Sequence, residues 1–466
     1  MGCFGRIWRV SDQTDRKYLM MAQSCLIRIT ERGFQLTYRT PKDTTLSLFL
    51  HGEPAYSHLL LLPSKSKGLG PALTPNLLVD FVNQGSNILL ALSSEQGVSS
   101  AISSLLLELD ISVSPDRNSV VIDHFAHDTK SASDKHDVLV LSSSESNGNK
   151  AVKNFFSVDG PLAFPNSVGQ VLGNASPLLS PIVKAPGTSY IYNPKDDSAS
   201  DDEPFAVGSQ ISLVTAFQAL NSARITILGS ASALEDTWFT SSIKPSSPSS
   251  SSSEKTANRA FAQKLSAWTF HEIGVLRASS MRHRLADPVE EGSTAEKMSA
   301  AGASYRDEEG NPSIYRIKNN IHYSVALSEW EGDHWAPFTP PTGDAVQLEV
   351  SMLSPFHRLN LTANTTTSTP NATTYTTSFP LPDQHGIFNF LVSYRRPFLT
   401  ALEEKRTVTV RHFAHDEWPR SYAISGAWPW ISGIWVTVGG WVVFVAVWLY
   451  SKPAEVRGGK VAGARR

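Results

Sequence analysis

The chain has 466 residues, with 41 Lys and Arg against 43 Asp and Glu, and 41% of it is hydrophobic. Near-neutrality excludes the basic surface that nucleic-acid binding needs, and the composition is that of a globular chain long enough for two or three domains. Its two cysteines, Cys3 and Cys25, leave no thiol from Thr30 onward, which excludes a disulfide scaffold, a Cys-based zinc site and a cysteine nucleophile for the main body.

Residues 1–30 are polar and basic, with no apolar run of signal-peptide length. Met1-Gly2-Cys3 opens like a lipidation site, but Arg6 stands where myristoylation takes Ser or Thr. The reading sets this stretch apart as an anomalous N-terminus, which a mis-assigned first exon would explain.

From residue 31 to 240 the chain alternates strand and helix signals. Phe34–Tyr38 reads as a short strand, and the apolar run His58–Leu62 as a buried parallel strand. Thr74-Pro75 opens a helix with stripe Leu77, Leu78, Phe81 and Val82, stopped at Gly85. Asn87–Leu92 is the next strand, Ser99–Leu109 a helix and Ser119–Ile122 a strand. Further on, Gln210–Leu220 reads as a helix, Ala223–Leu228 as a strand, and Ser232-Ala-Leu-Glu235 as a capping box. The expectation is a doubly wound α/β domain of the Rossmann or flavodoxin kind. Residues 241–257 hold a Ser/Pro run too polar to fold, read as a flexible insert.

Residues 258–425 open on a helix, Asn258–Phe270. The period then changes to two: Ile321, Tyr323, Val325 and Leu327, then Val346, Leu348, Val350 and Met352, then Phe388, Phe390, Val392 and Tyr394, with Thr407–Val410 after them. Alternating strands with no helices between them predict an antiparallel β-sandwich. Residues 428–450, WPWISGIWVTVGGWVVFVAVWLY, carry no charge and would form a helix ~35 Å long, enough to cross a ~30 Å bilayer core. Aromatic residues stand at both ends, and the tail 451–466 is basic, so the positive-inside rule places it in the cytosol and the bulk of the chain across the membrane. Gly433, Thr437 and Gly440 form one small-residue face for helix packing.

Sequons occur at Asn174, Asn360, Asn364 and Asn371, three of them within a dozen residues. On the lumenal side they are candidate N-glycosylation sites. Catalytic signals are sparse. His-Phe-Ala-His-Asp occurs at His124–Asp128 and His412–Asp416, but its His spacing of i, i+3 is not that of the helical zinc hydrolase motif. Lys67-Gly68-Leu69-Gly70 opens like a phosphate loop, yet Leu73 replaces the third glycine and Pro71 lacks an N–H. No Gly-x-Ser-x-Gly elbow or Asp-x-Asp pair is present, and the acidic run Asp196–Glu203 reads as a solvated loop. No catalytic residue, metal ligand or cofactor is assigned.

Six stretches together resemble a known family: Glu31–Arg39, Leu61–Pro71, Phe81–Leu90, Tyr315–Asn320, Trp330–Trp335, and His385–Tyr422 with Tyr394-Arg-Arg-Pro397 and His415–Ser421 within it. As a set they resemble the 48 kDa subunit of oligosaccharyltransferase, in fungi the wheat-germ-agglutinin-binding subunit. The resemblance implies an endoplasmic-reticulum type I protein with a lumenal α/β domain, a β-rich domain and one membrane helix. It implies membership of the complex that moves a preassembled glycan from dolichyl diphosphate to Asn in Asn-x-Ser/Thr, with the catalytic residues in another, multi-spanning subunit. Implied partners are that catalytic subunit, a ribophorin-II-like subunit and a small DAD-type membrane subunit. Family members begin with a signal peptide and a first strand, and this sequence is read as having neither. The chain ends Gly463-Ala-Arg-Arg466 without a near-terminal lysine pair, so retention would come from assembly with partners. The alternative readings are a free-standing lumenal glycan-binding receptor and a metal-dependent lumenal hydrolase.

Overall fold

A computed structural model of the chain describes residues 6–10 (backbone only), 23–40, 43, 46–64, 68–141, 153–174, 176–194, 203–246, 253–286, 307, 310–414 and 427–452. Strands of the three large sheets are numbered in chain order, as are the helices of nine residues or more. The first sheet uses β1 (Arg6–Val10), β2 (Gln35–Arg39), β3 (His58–Leu61), β4 (Asn87–Ala91), β5 (Ile111–Val113), β6 (Gln170–Leu172), β7 (Leu179–Lys184), β8 (Ile211–Gln218) and β9 (Arg224–Leu228). Their order is β2-β1-β3-β4-β9-β8-β6-β5, with β7 also paired to β8. The first five in that order run parallel. The rest pair antiparallel, so the sheet is mixed.

The parallel strands are apolar throughout because both faces are covered. Every residue of β3, β4 and β9 is buried. Leu60, Leu89 and Leu228 face a core closed by helix α1 (Gln23–Glu31), through Leu26 and Ile29, and by α4 (Asn258–Thr269), through Phe261, Leu265 and Trp268. Leu59, Ile88, Leu90 and Ile227 face the other core, closed by α2 (Pro75–Asn83) and α3 (Ser100–Glu108). Both of these latter helices begin as their sequences dictate. The Thr74 hydroxyl accepts from Leu77 N and the Ser99 hydroxyl from Ile102 N, a cap worth about 1 kcal/mol each. Gly85 follows α2 at φ +88°, a conformation costly for any residue with a Cβ.

Four expectations change. Of residues 1–30, read as lacking a first strand, Arg6–Val10 is the strand between β2 and β3 and α1 packs into the core, while 1–5 and 11–22 lie outside the described residues. The short β1 sequence, RIWRV, mixes two arginines with apolar residues and so lacks the all-apolar signature of β3 and β4. The stretch read as a helix at Gln210–Leu220 is one 3-10 turn, Gly208–Gln210, followed by β8. Ile, Val and Thr suit that strand, which is buried on both faces over its first six residues. The cap before Leu234 is Ser230, whose hydroxyl accepts from Ala233 N, not Ser232. Finally α4, read as the start of the β-rich unit, packs on the first sheet. Of the Ser/Pro insert, residues 247–252 lie outside the described residues, and its flanks pair as a two-stranded ribbon, Ser242–Ile243 with Glu254–Lys255.

The second unit is a sandwich of two five-stranded sheets. One contains β10 (Ile273–Leu285), β12 (Asn320–Glu331), β13 (Trp335–Pro337), β16 (Thr362–Thr369) and β17 (Ala372–Pro380), ordered β10-β12-β17-β16 with β13 on β12. The other runs β11-β19-β18-β14-β15, from β11 (Ile314–Arg316), β14 (Gln347–Ser351), β15 (Pro355–Asn360), β18 (Gly386–Tyr394) and β19 (Leu402–Arg411). All pairs are antiparallel except β11 with β19. The period of two holds: Ile321, Tyr323, Val325 and Leu327 meet Phe388, Phe390, Val392 and Tyr394 in one core. The last strand is longer than the expected Thr407–Val410. A final helix, α5, spans Trp428–Tyr450.

Candidate functional site at the seam between the two units

The most heavily built polar site lies where the first sheet meets the sandwich. Its centre is Arg224, the first residue of β9 and fully buried. Its guanidinium donates to Trp268 O at 2.5 Å, Ile273 O at 2.8 Å and Gly274 O at 2.7 Å, and lies over the Trp268 ring at 4.7 Å. The carbonyl end of α4 thus meets a cation, as the helix dipole favours. Burial lowers the Arg224 pKa to about 9, still above neutral, so the group stays charged at pH 7.

The return strand β18 reaches the seam through Tyr394-Arg-Arg-Pro397. Phe398, at φ +67°, inserts its ring against Phe156 and Trp268, and its carbonyl accepts from Trp268 Nε1 at 2.8 Å. Leu399 O accepts from Gln218 Nε2, Ala401 N donates to the Ser222 hydroxyl, and Thr400 N donates to Gly274 O at 3.0 Å. Gly274 sits at φ +68°, and a Cβ there would fall 2.7 Å from Phe398 O, so this close approach needs glycine. Arg396 grips Asp344 with two bonds of 2.6 Å, and the Tyr394 hydroxyl donates to the same carboxylate. The Arg396 hydrogen bonds hold Asp344 below the usual carboxylate range.

Two ion pairs flank the centre. Arg32 binds Glu272 at 2.5 Å and also the Ser266 hydroxyl, while Gly332 N donates to Glu272 O. Burial raises the Glu272 pKa to about 6 against the pull of Arg32. Lys153 holds both oxygens of Glu329, whose side chain is 5% exposed, at 2.7 and 2.8 Å. Replacing Lys153 with Met strands that carboxylate. The expected cost is about 2–4 kcal/mol, read as faster limited proteolysis between the two units, with Glu329→Gln in the same chain restoring much of it.

Several of the resembling stretches converge here: Glu31–Arg39 through Arg32, Phe81–Leu90 through Asn87, whose Oδ1 accepts from Arg224 N, Trp330–Trp335 through Gly332, and Tyr394–Pro397. Sequence reasoning missed Arg224 and Lys153. A lone cation carries no motif: the partners of Arg224 are backbone carbonyls, and that of Lys153 is a carboxylate 176 residues away.

The residues singled out for metal chemistry do other work. The Asp128 carboxylate accepts from the backbone N–H groups of Lys130, Ser131 and Lys244. His124 contacts His136 and the Tyr190 hydroxyl, and His127 stacks on His136 with centroids 4.1 Å apart. His412 stacks on His385, while His415 and Asp416 lie outside the described residues. Among the described residues no three His, Cys, Asp or Glu side chains form a metal-ligand group. Gly68 and Gly70 precede a 3-10 turn at Pro71–Leu73, and Lys67 lies outside the described residues, as does Asp196–Asp202 of the acidic run.

Three of the sequon asparagines, Asn174, Asn360 and Asn371, are exposed. Asn364 is half-buried, and its side-chain oxygen accepts from Thr366 N. Among the described residues nothing lies within 4 Å of a Cβ placed on Gly433 or Gly440, and Thr437 bonds back to Gly433 O at 2.8 Å. The described window of that helix is unburied within this chain.

Two family models match: the OST48 N-terminal domain over residues 11–272 and the OST48 middle domain over residues 303–452. The chain is 33% identical over 428 residues to the dolichyl-diphosphooligosaccharide–protein glycosyltransferase subunit wbp1 of Schizosaccharomyces pombe, covering 92% of this chain and 88% of that one. It is 31% identical to subunit WBP1 of Saccharomyces cerevisiae (94% and 92% covered) and 28% identical to the 48 kDa subunit of Arabidopsis thaliana (95% and 94%). The first model ends at α4 and Glu272, where the seam begins, so its boundary agrees with the packing. The chain belongs to the OST48 family.

Proposed function

We propose that this chain is a non-catalytic scaffold subunit of the oligosaccharyltransferase complex, which transfers a preassembled glycan from dolichyl diphosphate to Asn of Asn-x-Ser/Thr. The observation that carries the reading is the match, over nine-tenths of the chain, to proteins named as subunits of that glycosyltransferase. A structural role is supported by the seam, where the buried cation and carboxylates are committed to backbone and to each other. Residues 6–272 form the first unit on this reading, flavodoxin-like in the order of its parallel strands, and residues 273–414 the second. The protein is a single-pass type I protein of the endoplasmic-reticulum membrane, with α5 as its anchor and the tail cytosolic. Its partners are the multi-spanning catalytic subunit, a ribophorin-II-like subunit and a small DAD-type subunit.

The test is to purify the tagged full-length chain from digitonin membranes. The multi-spanning catalytic subunit should come with it in near-stoichiometric amount. A lone glycosylated protein would sink the reading and favour a free-standing receptor. On the same assay Gly440→Ile, which adds bulk to the face shared with Gly433 and Thr437, is expected to lower recovery of membrane partners several-fold while a substitution on the opposite face, Val442→Ile, leaves it unchanged. Exposed Asn174, Asn360 and Asn371 are the sequons expected to carry glycan. Each Asn→Gln change should remove one endoglycosidase-sensitive mobility step, whereas Asn364→Gln should remove none.

A further inference from the structure

The strand register gives the sandwich two unlike ends. Gly386 pairs with Val410, so β18 begins at the end where β19 leaves toward α5. β14 runs to Ser351, opposite Asn389, and Pro355 faces Ser351. The Met352–Ser354 turn therefore sits at that same end, and a Cβ on Gly386 would lie 2.5 Å from Met352 Sδ. At the tip Leu353 is 99% exposed. Ile387 beside it is 60% exposed, and Phe356 packs its ring on Phe388 with one edge open. Arg316 pairs with Arg411 at this end, and Lys318, ion-paired to Asp383, lies two residues beyond Arg316.

The other end is polar. Gln347 pairs with Asn360, and Asn371 lies in the turn between Thr369 and Ala372. Tyr394 pairs with Leu402 there, which places the seam and the first unit at the end away from α5. Both exposed sandwich sequons thus stand opposite the apolar tip.

We propose that the β14–β15 hairpin tip, Leu353 with Phe356 and Ile387, inserts into the lipid headgroup region of the bilayer that α5 crosses. The inference rests on the reading of α5 as a membrane span. Ala414 and Trp428 are 14 residues apart, so the chain between them reaches at most ~48 Å, and the apolar end, from which the chain leaves toward α5, is the end tethered to the bilayer. The patch is a convex tip, which suits wedging between headgroups. The cations Arg316 and Arg411 at this end suit lipid phosphates, Lys318 being paired to Asp383. The insertion would fix the tilt of the sandwich and, through the seam, hold the first unit upright above the membrane.

The test uses the full-length chain with its co-purifying partners in phosphatidylcholine nanodiscs, in a Cys3→Ser, Cys25→Ser background. Leu353→Cys, Asn371→Cys and Val438→Cys each carry the environment-sensitive dye NBD. The dye at 353 should emit to the blue, lose emission when headgroup-level nitroxide lipid is added, and resist iodide. At 371 it should do none of these, and at 438 it should be quenched by nitroxide deep in the acyl chains. If 438 escapes quenching, the span reading fails and the proposal with it. Quenching at 438 with free iodide access at 353 overturns the proposal alone. A dye at 353 shielded from iodide but untouched by nitroxide lipid means that a protein covers the tip, which overturns the lipid assignment.

Discussion

Replacing Arg224 with Met is expected to lower the stability of the lumenal part by about 3–5 kcal/mol, on the order of 10 °C in Tm. Methionine matches much of the arginine stem in volume, so the loss is not one of packing. Instead the carbonyls of Trp268, Ile273 and Gly274 lose their charged donor inside a closed core, while Trp268 O keeps the N–H of His271 and Gly274 O that of Thr400. Each hydrogen bond to a charged group contributes about 1.5–3 kcal/mol. Arg224→Lys should recover only part, because an ammonium cannot span three carbonyls on two elements or lie flat over Trp268. Scanning fluorimetry of the detergent-solubilised protein reads the shift. The seam reading makes a second demand on the same variant: units joined at Gly274 and Phe398 should become separately cleavable before either unfolds. A variant that melts at the wild-type temperature, with no new proteolytic site near residue 274, would show that the guanidinium holds nothing together.

Much of the fold was legible because its physics is local. Continuous apolar runs at β3 and β4 declare strands covered on both faces, Thr74 and Ser99 declare helix starts, and the alternation from Ile321 to Leu327 declares a half-buried strand. The failures have equally specific causes. In β8 the run ISLVTAFQ is apolar at both strand and helix spacings, and only its pairing with β7 and β9 decides between them. In β1 the central position in the sheet is invisible from five residues of mixed polarity. The seam was hidden for another reason. Arg224 and Lys153 look like ordinary surface cations, and their partners lie 44 to 176 residues away. The family stretches were recognisable as a pattern, but that Arg32, Asn87, Gly332 and Arg396 gather around one junction follows from topology, which no short window of sequence contains.

Acid should loosen the chain before most of its carboxylates titrate, Glu272 excepted, because three histidines are buried neutral. Burial pulls His58 down to about 4, His283 to about 4, and His271, also repelled by Arg224, to about 3. The structure says which proton each one lacks. Asn87 turns its Oδ1 to Arg224 N, so its Nδ2–H must face His58 Nδ1 and that nitrogen must accept. His271 donates Nε2–H to Ser222 O, leaving Nδ1 as the site a second proton would have to take near the guanidinium. His283 Nδ1 is engaged by the Tyr315 hydroxyl. In the unfolded chain each histidine takes up its proton near pH 6.5, whereas in the folded chain it does so only near 3 to 4. The unfolded state therefore binds more protons throughout that window, and stability falls as pH drops from about 6.5 toward 4, with no contribution above it. For His58 and His283 the loss by pH 4 is on the order of 3 kcal/mol each. Denaturation midpoints at pH 7.5, 6.0 and 5.0 should decline steadily. His58→Leu should start lower, since Asn87 loses its acceptor, but show a flatter slope below pH 6.5. A wild-type midpoint that stays level down to pH 5 would mean that these imidazoles are already charged in the folded protein, and that the ring cluster of Phe34, His58 and Phe270 is open to water.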